Sequence, residues 1–237
     1  MNLTDKAKGN VMAEAWAIRN VYTPEERRAD AAVHVLGLVL GLMSVPAIVL
    51  LATLLDGRVS VVLSMTLYGA ALLAMLGASA AYHMIRSEPW EETLRRVDHA
   101  AIYVKIAATQ TPFAVMMGSS QAGWLLIAVW AAALAGALGK LLNPRLMTRF
   151  GLPLYLLLGW SGVMLLWPAE GARPLFGATL ILAVTGGLLY TIGVGFFLAE
   201  RLRFHNAIWH GFVLVASLTF YAALTTELGL RAAAGTP

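Results

Sequence analysis

Apolar residues run almost unbroken through seven stretches of the chain, at about 34–55, 61–84, 99–117, 122–142, 150–168, 175–198 and 205–227, with most charges gathered between them. Each stretch approaches the roughly 20 residues a helix needs to cross about 30 Å of hydrocarbon. The runs are continuous rather than alternating, which excludes the pattern of a membrane barrel. They are also rich in Leu, Ala and Gly, and small residues let membrane helices approach closely. The pattern predicts an all-α integral membrane protein, a bundle of seven transmembrane helices spanning 34–227. A segment at 1–33 precedes it and a short tail at 228–237 follows.

Composition agrees: 59% of the 237 residues are hydrophobic and 13% charged, outside the range of soluble domains. The net charge of +4 would suit nucleic acid binding in a soluble protein, but its distribution points to the membrane instead. With the loops counted alternately, thirteen Lys and Arg fall on one side and three on the other, with Lys105 inside a span. The positive-inside rule therefore places the N-terminus in the cytoplasm and the C-terminus outside, opposite to G-protein-coupled receptors. No apolar run precedes the first span that would serve as a cleaved signal, so insertion is expected to use the helices themselves. Residues Met12 to Val21 fit either a short interfacial helix or a frayed tail.

Cysteine is absent, so a metal would have to use His, carboxylate or other oxygen ligands. All five histidines, His34, His83, His99, His205 and His210, fall near cytoplasmic ends of four spans. Ionisable residues in spans usually face the bundle interior, so this one-sided layer is a candidate site, with interfacial anchoring as the alternative. Ser79 and His83 are four apart and share a helix face, suited to packing or to chemistry. Asp98 opens the third span, where N-capping would account for it. Positions 206 and 210 lie about 40° apart on a helix, and 205 and 210 about 140°. Asn206 and His210 can therefore face one ion, whereas His205 and His210 cannot in a regular helix. Amide oxygen is nevertheless a weaker zinc ligand than imidazole.

Trp124, Trp130, Trp160, Trp167 and Trp209 fit interfacial belts, and Pro112 and Pro153 fit kinks within spans. Glu200 and Glu227 are expected to be solvated boundary residues. No phosphate-binding loop, dinucleotide fingerprint or internal repeat is present.

Several motifs occur in order: His34 in "AAVHVLGLVLG", "SAAYH" at 79–83, "RRVDHAAIYVKIAATQTPF" at 95–113, "LYLLLGW" at 154–160, "GGLLYTIG" at 186–193 and "NAIWHGFVL" at 206–214. From about Ala29 to Leu228 the sequence resembles the hemolysin III family, the bacterial branch of the progestin and adipoQ receptor superfamily. That superfamily also includes the adiponectin receptors and, more distantly, the alkaline ceramidases. The resemblance implies a multi-pass protein of the bacterial cytoplasmic membrane, with a zinc site on the cytoplasmic side. Carried over, His83 and His210 match two ligands, Asn206 stands where a third histidine would be, and Ser79 and Asp98 match the pair that holds water beside the ion. His205 would replace the missing ligand only if the start of the seventh span were irregular.

Lys105 is a second departure. It lies two turns beyond Asp98 on nearly the same face, about 10 Å along the axis. It either snorkels to the interface or supplies positive charge that offsets Asp98. The function implied by the resemblance is zinc-dependent hydrolysis of a lipid amide or ester, with His83 and His210 holding the ion, Asn206 completing the site, Asp98 as general base and Ser79 placing the water. The alternatives are a non-enzymatic membrane sensor or homeostasis protein with a weakened site and, ranked last, a pore-forming cytolysin. Membrane lipids are the expected partners and nucleic acid is not.

Overall fold

A computed structural model of the chain describes residues 22–85, 88–144, 146–166 and 172–235. Seven helices and no strand occur among them: α1 (Pro24–Leu55), α2 (Val59–Met84), α3 (Glu91–Met117), α4 (Ser120–Leu142), α5 (Leu146–Ser161), α6 (Gly177–Leu198) and α7 (His205–Ala233). A 3₁₀ turn, Gly162–Leu166, continues α5. Five of the helices, α1, α2, α4, α6 and α7, are long and apolar enough to cross a membrane. The expected helix at Met12 to Val21 lies outside the described residues.

Local chemistry sets where these helices begin. Thr23 forms a capping box: its hydroxyl accepts from the Glu26 N–H at 3.3 Å, and the Glu26 carboxylate accepts from the Thr23 N–H at 2.8 Å. Pro24 follows at the first helical position, where its missing N–H costs nothing. Helix α1 thus starts upstream of the apolar run and carries Asp30 one turn before His34. Helix α3 begins at Glu91, so Asp98 is inside the helix and buried. The expectation that Asp98 caps a helix is therefore corrected. The helix ends at Gly118, whose φ of +67° belongs to the left-handed region that glycine enters readily.

The helices form a ring in which α1 packs on α2 and α7, α3 on α2 and α4, α4 on α5, and α6 on α7. Helix α3 also reaches α5 and α7, which places it in the interior. It buries Lys105, Thr109, Gln110 and Thr111 along its length, so its polar content belongs to the inside of the bundle. Large apolar side chains such as Met43, Leu54, Leu63 and Leu142 are exposed on the outer faces, as a hydrocarbon surround requires. Helices α5 and α6 touch only sparsely. Elsewhere contact is close: a Cβ on Gly136 of α4 would lie 2.6 Å from the ring of Tyr103 on α3, so only glycine fits there.

The two ends of the bundle differ. Where α1 ends and α2 begins, Ile48, Met65, Tyr68, Met116, Leu224 and Leu228 form a dry core. Glu227 lies at this end and is fully buried, which corrects the expectation of a solvated residue. Arg231 Nε donates to Glu227 Oε1 at 2.7 Å, and the Phe176 N–H donates to Oε2 at 3.2 Å. Arg231 Nη2 also reaches the carbonyls of Arg173 and Pro174 at 3.4 and 3.3 Å, so the pair fastens the entry to α6 onto α7. Glu200, at the other end, is exposed as expected.

Among the tryptophans Trp124 is exposed, consistent with a belt. Trp130 and Trp160 instead donate to Thr111 and Thr191 of neighbouring helices, each at 3.1 Å. Trp167 lies outside the described residues.

Candidate metal centre

The polar end of the bundle is built from three adjacent helices. Helix α1 presents Asp30 and His34, one turn apart and therefore on one face. Helix α2 brings His83 in its last turn, and α7 brings His210 in its second turn. Each of the four offers a ligating atom, and these atoms all lie within 4.8 Å of one another. The imidazole centroids are 4.4 Å apart for His34 and His210, 4.5 Å for His83 and His210, and 5.1 Å for His34 and His83.

Asp30 is the hub. Its Oδ1 lies 2.6 Å from His210 Nδ1, and its Oδ2 lies 3.3 Å from His83 Nδ1 and 3.6 Å from His34 Nε2. Asn206 adds a fourth approach, its Nδ2 donating to Asp30 Oδ2 at 3.2 Å. His34 Nε2 has no hydrogen-bond partner although it is buried. An orphaned buried polar atom normally costs free energy, and a ligand position is one circumstance that supplies the missing interaction. Three imidazoles and one carboxylate, close together and largely buried, match the donor types that hold zinc or a similar transition metal. The residues therefore fit a divalent ion.

Of the sequence-predicted ligands, His83 and His210 converge. Asn206 lies beside them but presents its amide nitrogen, a donor, towards Asp30 and within 3.3 Å of His83 Nδ1. His34, foreseen only as part of the polar layer, enters the cluster itself. Asp30 was missed, although an Asp and a His four apart on a helix are a signal the sequence carries.

Ser79 and Asp98 meet where α2 faces α3, with the Asp98 carboxyl near His83 and His34. His205 belongs to a different contact. Its Nε2 lies 3.0 Å from Tyr22 Oη, and its Nδ1 has no partner. Burial, and then the Asp30 carboxylate, push the Tyr22 phenol up to about 12, so it stays protonated at neutral pH. Phe204, just before α7, has a left-handed φ of +64°, uncommon for a residue with a Cβ, and its N–H donates to Glu26 Oε1 at 3.0 Å. This clasp joins the start of α1 to the start of α7 and fixes the two helices that carry Asp30, His34 and His210.

Lys105 does not offset Asp98: its ammonium donates to Tyr190 Oη on α6 at 2.6 Å. It lines the same large cavity as the cluster, about 1580 Å³ in volume, which runs from Tyr22 and Glu26 at the mouth past Asp98 to Phe113 and Phe220.

Comparison with known proteins agrees with this chain of observations. A family model described as "Haemolysin-III related" matches residues 24–221. A protein named "Hemolysin-3 homolog" from Bacillus subtilis (strain 168) is 33% identical over 204 residues, covering 85% of this chain and 93% of the relative. One named "Hemolysin-3" from Bacillus cereus is 34% identical over 204 residues, covering 84% and 91%.

Proposed function

From the premise that this chain belongs to the haemolysin-III related family, a multi-pass membrane protein, we propose that it is a metal-dependent hydrolase of the bacterial cytoplasmic membrane. It cleaves an amide or ester bond of a membrane lipid. All seven helices cross the membrane, with the N-terminus and the His/Asp cluster on the cytoplasmic side, as the thirteen-to-three division of cations favours. The observation that carries the reading is the buried cluster of Asp30, His34, His83 and His210, with its orphaned His34 Nε2, beside a cavity large enough for a lipid chain.

Asp30, His34, His83 and His210 supply the donors that would hold the ion, three of them sufficing for a catalytic zinc with a position left open, and zinc is the choice that imidazoles and a carboxylate favour. The chemistry a bound ion supplies here is polarisation of a carbonyl and a lowered pKa for water. The chain's own residues do the rest. Asn206 keeps the Asp30 carboxylate oriented through its N–H donation. Asp98 takes a proton from the attacking water as its oxygen bonds to the carbonyl carbon, and Ser79 orients the Asp98 carboxyl. The same carboxyl returns the proton to the leaving amine or alkoxide as the C–N or C–O bond breaks, which yields a carboxylic acid and an amine or alcohol. The apolar walls of the cavity bind the acyl chain and exclude bulk water.

The test is turnover of a membrane lipid extract by purified, tag-free, zinc-loaded protein, with products identified by mass spectrometry. A fatty acid and its matching amine or alcohol should accumulate with the wild type and not with Asp98→Asn or the His83→Ala/His210→Ala double variant. Zinc-loaded wild-type protein that releases no product, or Asp98→Asn that turns over at the wild-type rate, would refute the assignment.

A further inference from the structure

Lys105 presents a problem that the hydrolytic site does not solve. It lies midway along α3, two turns and about 10 Å beyond Asp98, and is 3% exposed. Its Nζ donates to Tyr190 Oη at 2.6 Å, and Tyr190 Oη is 2.7 Å from Ser217 Oγ. The ring centres of Tyr190 and Phe220 lie 4.7 and 5.4 Å from it. Every one of these neighbours is neutral. Among the described residues no carboxylate is within ion-pair distance of Lys105; the acids that form ion pairs, such as Asp30, Glu92 and Glu227, have other partners.

An ammonium has three N–H donors, and Tyr190 takes one. Hydroxyls and ring faces offset only part of the cost of holding a cation away from water, so buried charges are normally paired. Among the described residues no counter-charge pairs with it, while the amino group borders the cavity. The chemistry of a group that would pair with it follows from the surroundings. A single ammonium is one point charge, here in contact with one hydroxyl, that of Tyr190, and it balances a single negative charge such as a carboxylate carries. Ile102, Ile106, Phe113, Val213 and Phe220 are among the apolar residues that line the cavity, beside the polar Thr109 and Gln110. At about 1580 Å³ the space exceeds the roughly 300–1,000 Å³ of a pocket for a compact ligand.

We propose that Lys105, backed by Tyr190 and Ser217, binds the carboxylate of a single-chain amphiphile whose alkyl chain occupies the deep part of the cavity. The site is separate from the His/Asp cluster and does not require catalysis there.

The experiment is equilibrium binding of tritiated palmitate to the full-length, tag-free protein in nanodiscs, with hexadecanol as the uncharged analogue and acetate as the chainless anion. Palmitate should bind saturably near one per chain, at least about tenfold more tightly than hexadecanol, and acetate should not compete. Lys105→Met should bring palmitate down to the hexadecanol level while leaving hexadecanol binding and zinc content unchanged, and Lys105→Arg should restore most of the preference. The His83→Ala/His210→Ala variant should bind palmitate like the wild type, which separates this site from the hydrolase. Equal affinity of the wild type for palmitate and hexadecanol overturns the proposal, whether or not Lys105→Met folds. Undiminished palmitate binding by a folded Lys105→Met, or displacement by acetate, overturns it as well.

Discussion

Replacing His34 by alanine distinguishes the ligand set proposed from the cluster in the bundle from the one implied by sequence resemblance. His34 Nε2 has no hydrogen-bond partner and its 3.6 Å approach to Asp30 Oδ2 is backed by the contacts of that carboxylate with His83, His210 and Asn206, so the principal loss expected is a donor to the proposed ion. Four-ligand structural zinc sites are worth roughly 10–16 kcal/mol, so an even share per donor is about 2.5–4 kcal/mol. The affinity should therefore fall by roughly two to three orders of magnitude. Asn206→Ala removes a different interaction, the N–H donation at 3.2 Å that orients Asp30. Losses of such supporting groups cost about 10–100-fold. The assay is competition for zinc with a chromophoric chelator at neutral pH, on tag-free protein, with stoichiometry from elemental analysis. His34→Ala should be the more severe variant and His205→Ala should match the wild type, since His205 contacts Tyr22 instead. If Asn206→Ala abolished binding while His34→Ala retained wild-type affinity, the ligand set drawn from the structure would be wrong.

Three further outcomes follow from the packing. Arg231→Met leaves the fully buried Glu227 carboxylate without its cation and should cost about 3–5 kcal/mol; adding Glu227→Gln should recover most of this, as read by thermal unfolding in detergent. Gly136→Ala forces a Cβ to within 2.6 Å of the buried Tyr103 ring, and chemical unfolding should show a loss of about 1–3 kcal/mol, the range for overpacking. An alkaline phosphatase fused after the last helix should be active and a fluorescent reporter at that position dark, since the cation distribution favours an outside C-terminus; the reverse would invert the proposed topology.

The helices were legible because a membrane leaves few solutions: an apolar run of the right length has to be a helix with its backbone satisfied internally. Their starts were less legible. Hydropathy placed the first span at 34, but the capping box at Thr23 and Glu26 begins α1 earlier and brings Asp30 into the bundle. The sequence contained that signal as a Thr followed three residues later by Glu, and also the Asp30 and His34 pair one turn apart. What it lacked was the partner. An acid ahead of an apolar run resembles a boundary residue until the contacts with His83 and His210 are known. Glu227 was misjudged for the same reason, because its burial depends on the backbone at Phe176 folding over it. For Lys105, the helical wheel placed it on the face of Asp98, but only the tertiary fold brings up Tyr190, 85 residues away.

The proposed site does not depend on a second histidine on α7, and the position of Asn206 gives the reason. An ion held mainly by α7 would need two imidazoles one turn apart on that helix, and substituting one would leave the site short. In this bundle α1 packs against both α2 and α7, so a pair of side chains on α1 can reach the same point from the opposite side. Asp30 and His34 do so, and the amide nitrogen at 206 donates to the Asp30 carboxylate. That division of labour also explains the clasp at the mouth. Once half of the donors come from α1, the position of α1 against α7 governs the cluster, and the contacts of Tyr22 with His205 and of Glu26 with the strained Phe204 hold that position. The departure at Asn206 is thus accompanied by two potential donors on α1, Asp30 and His34, that cluster with His83 and His210.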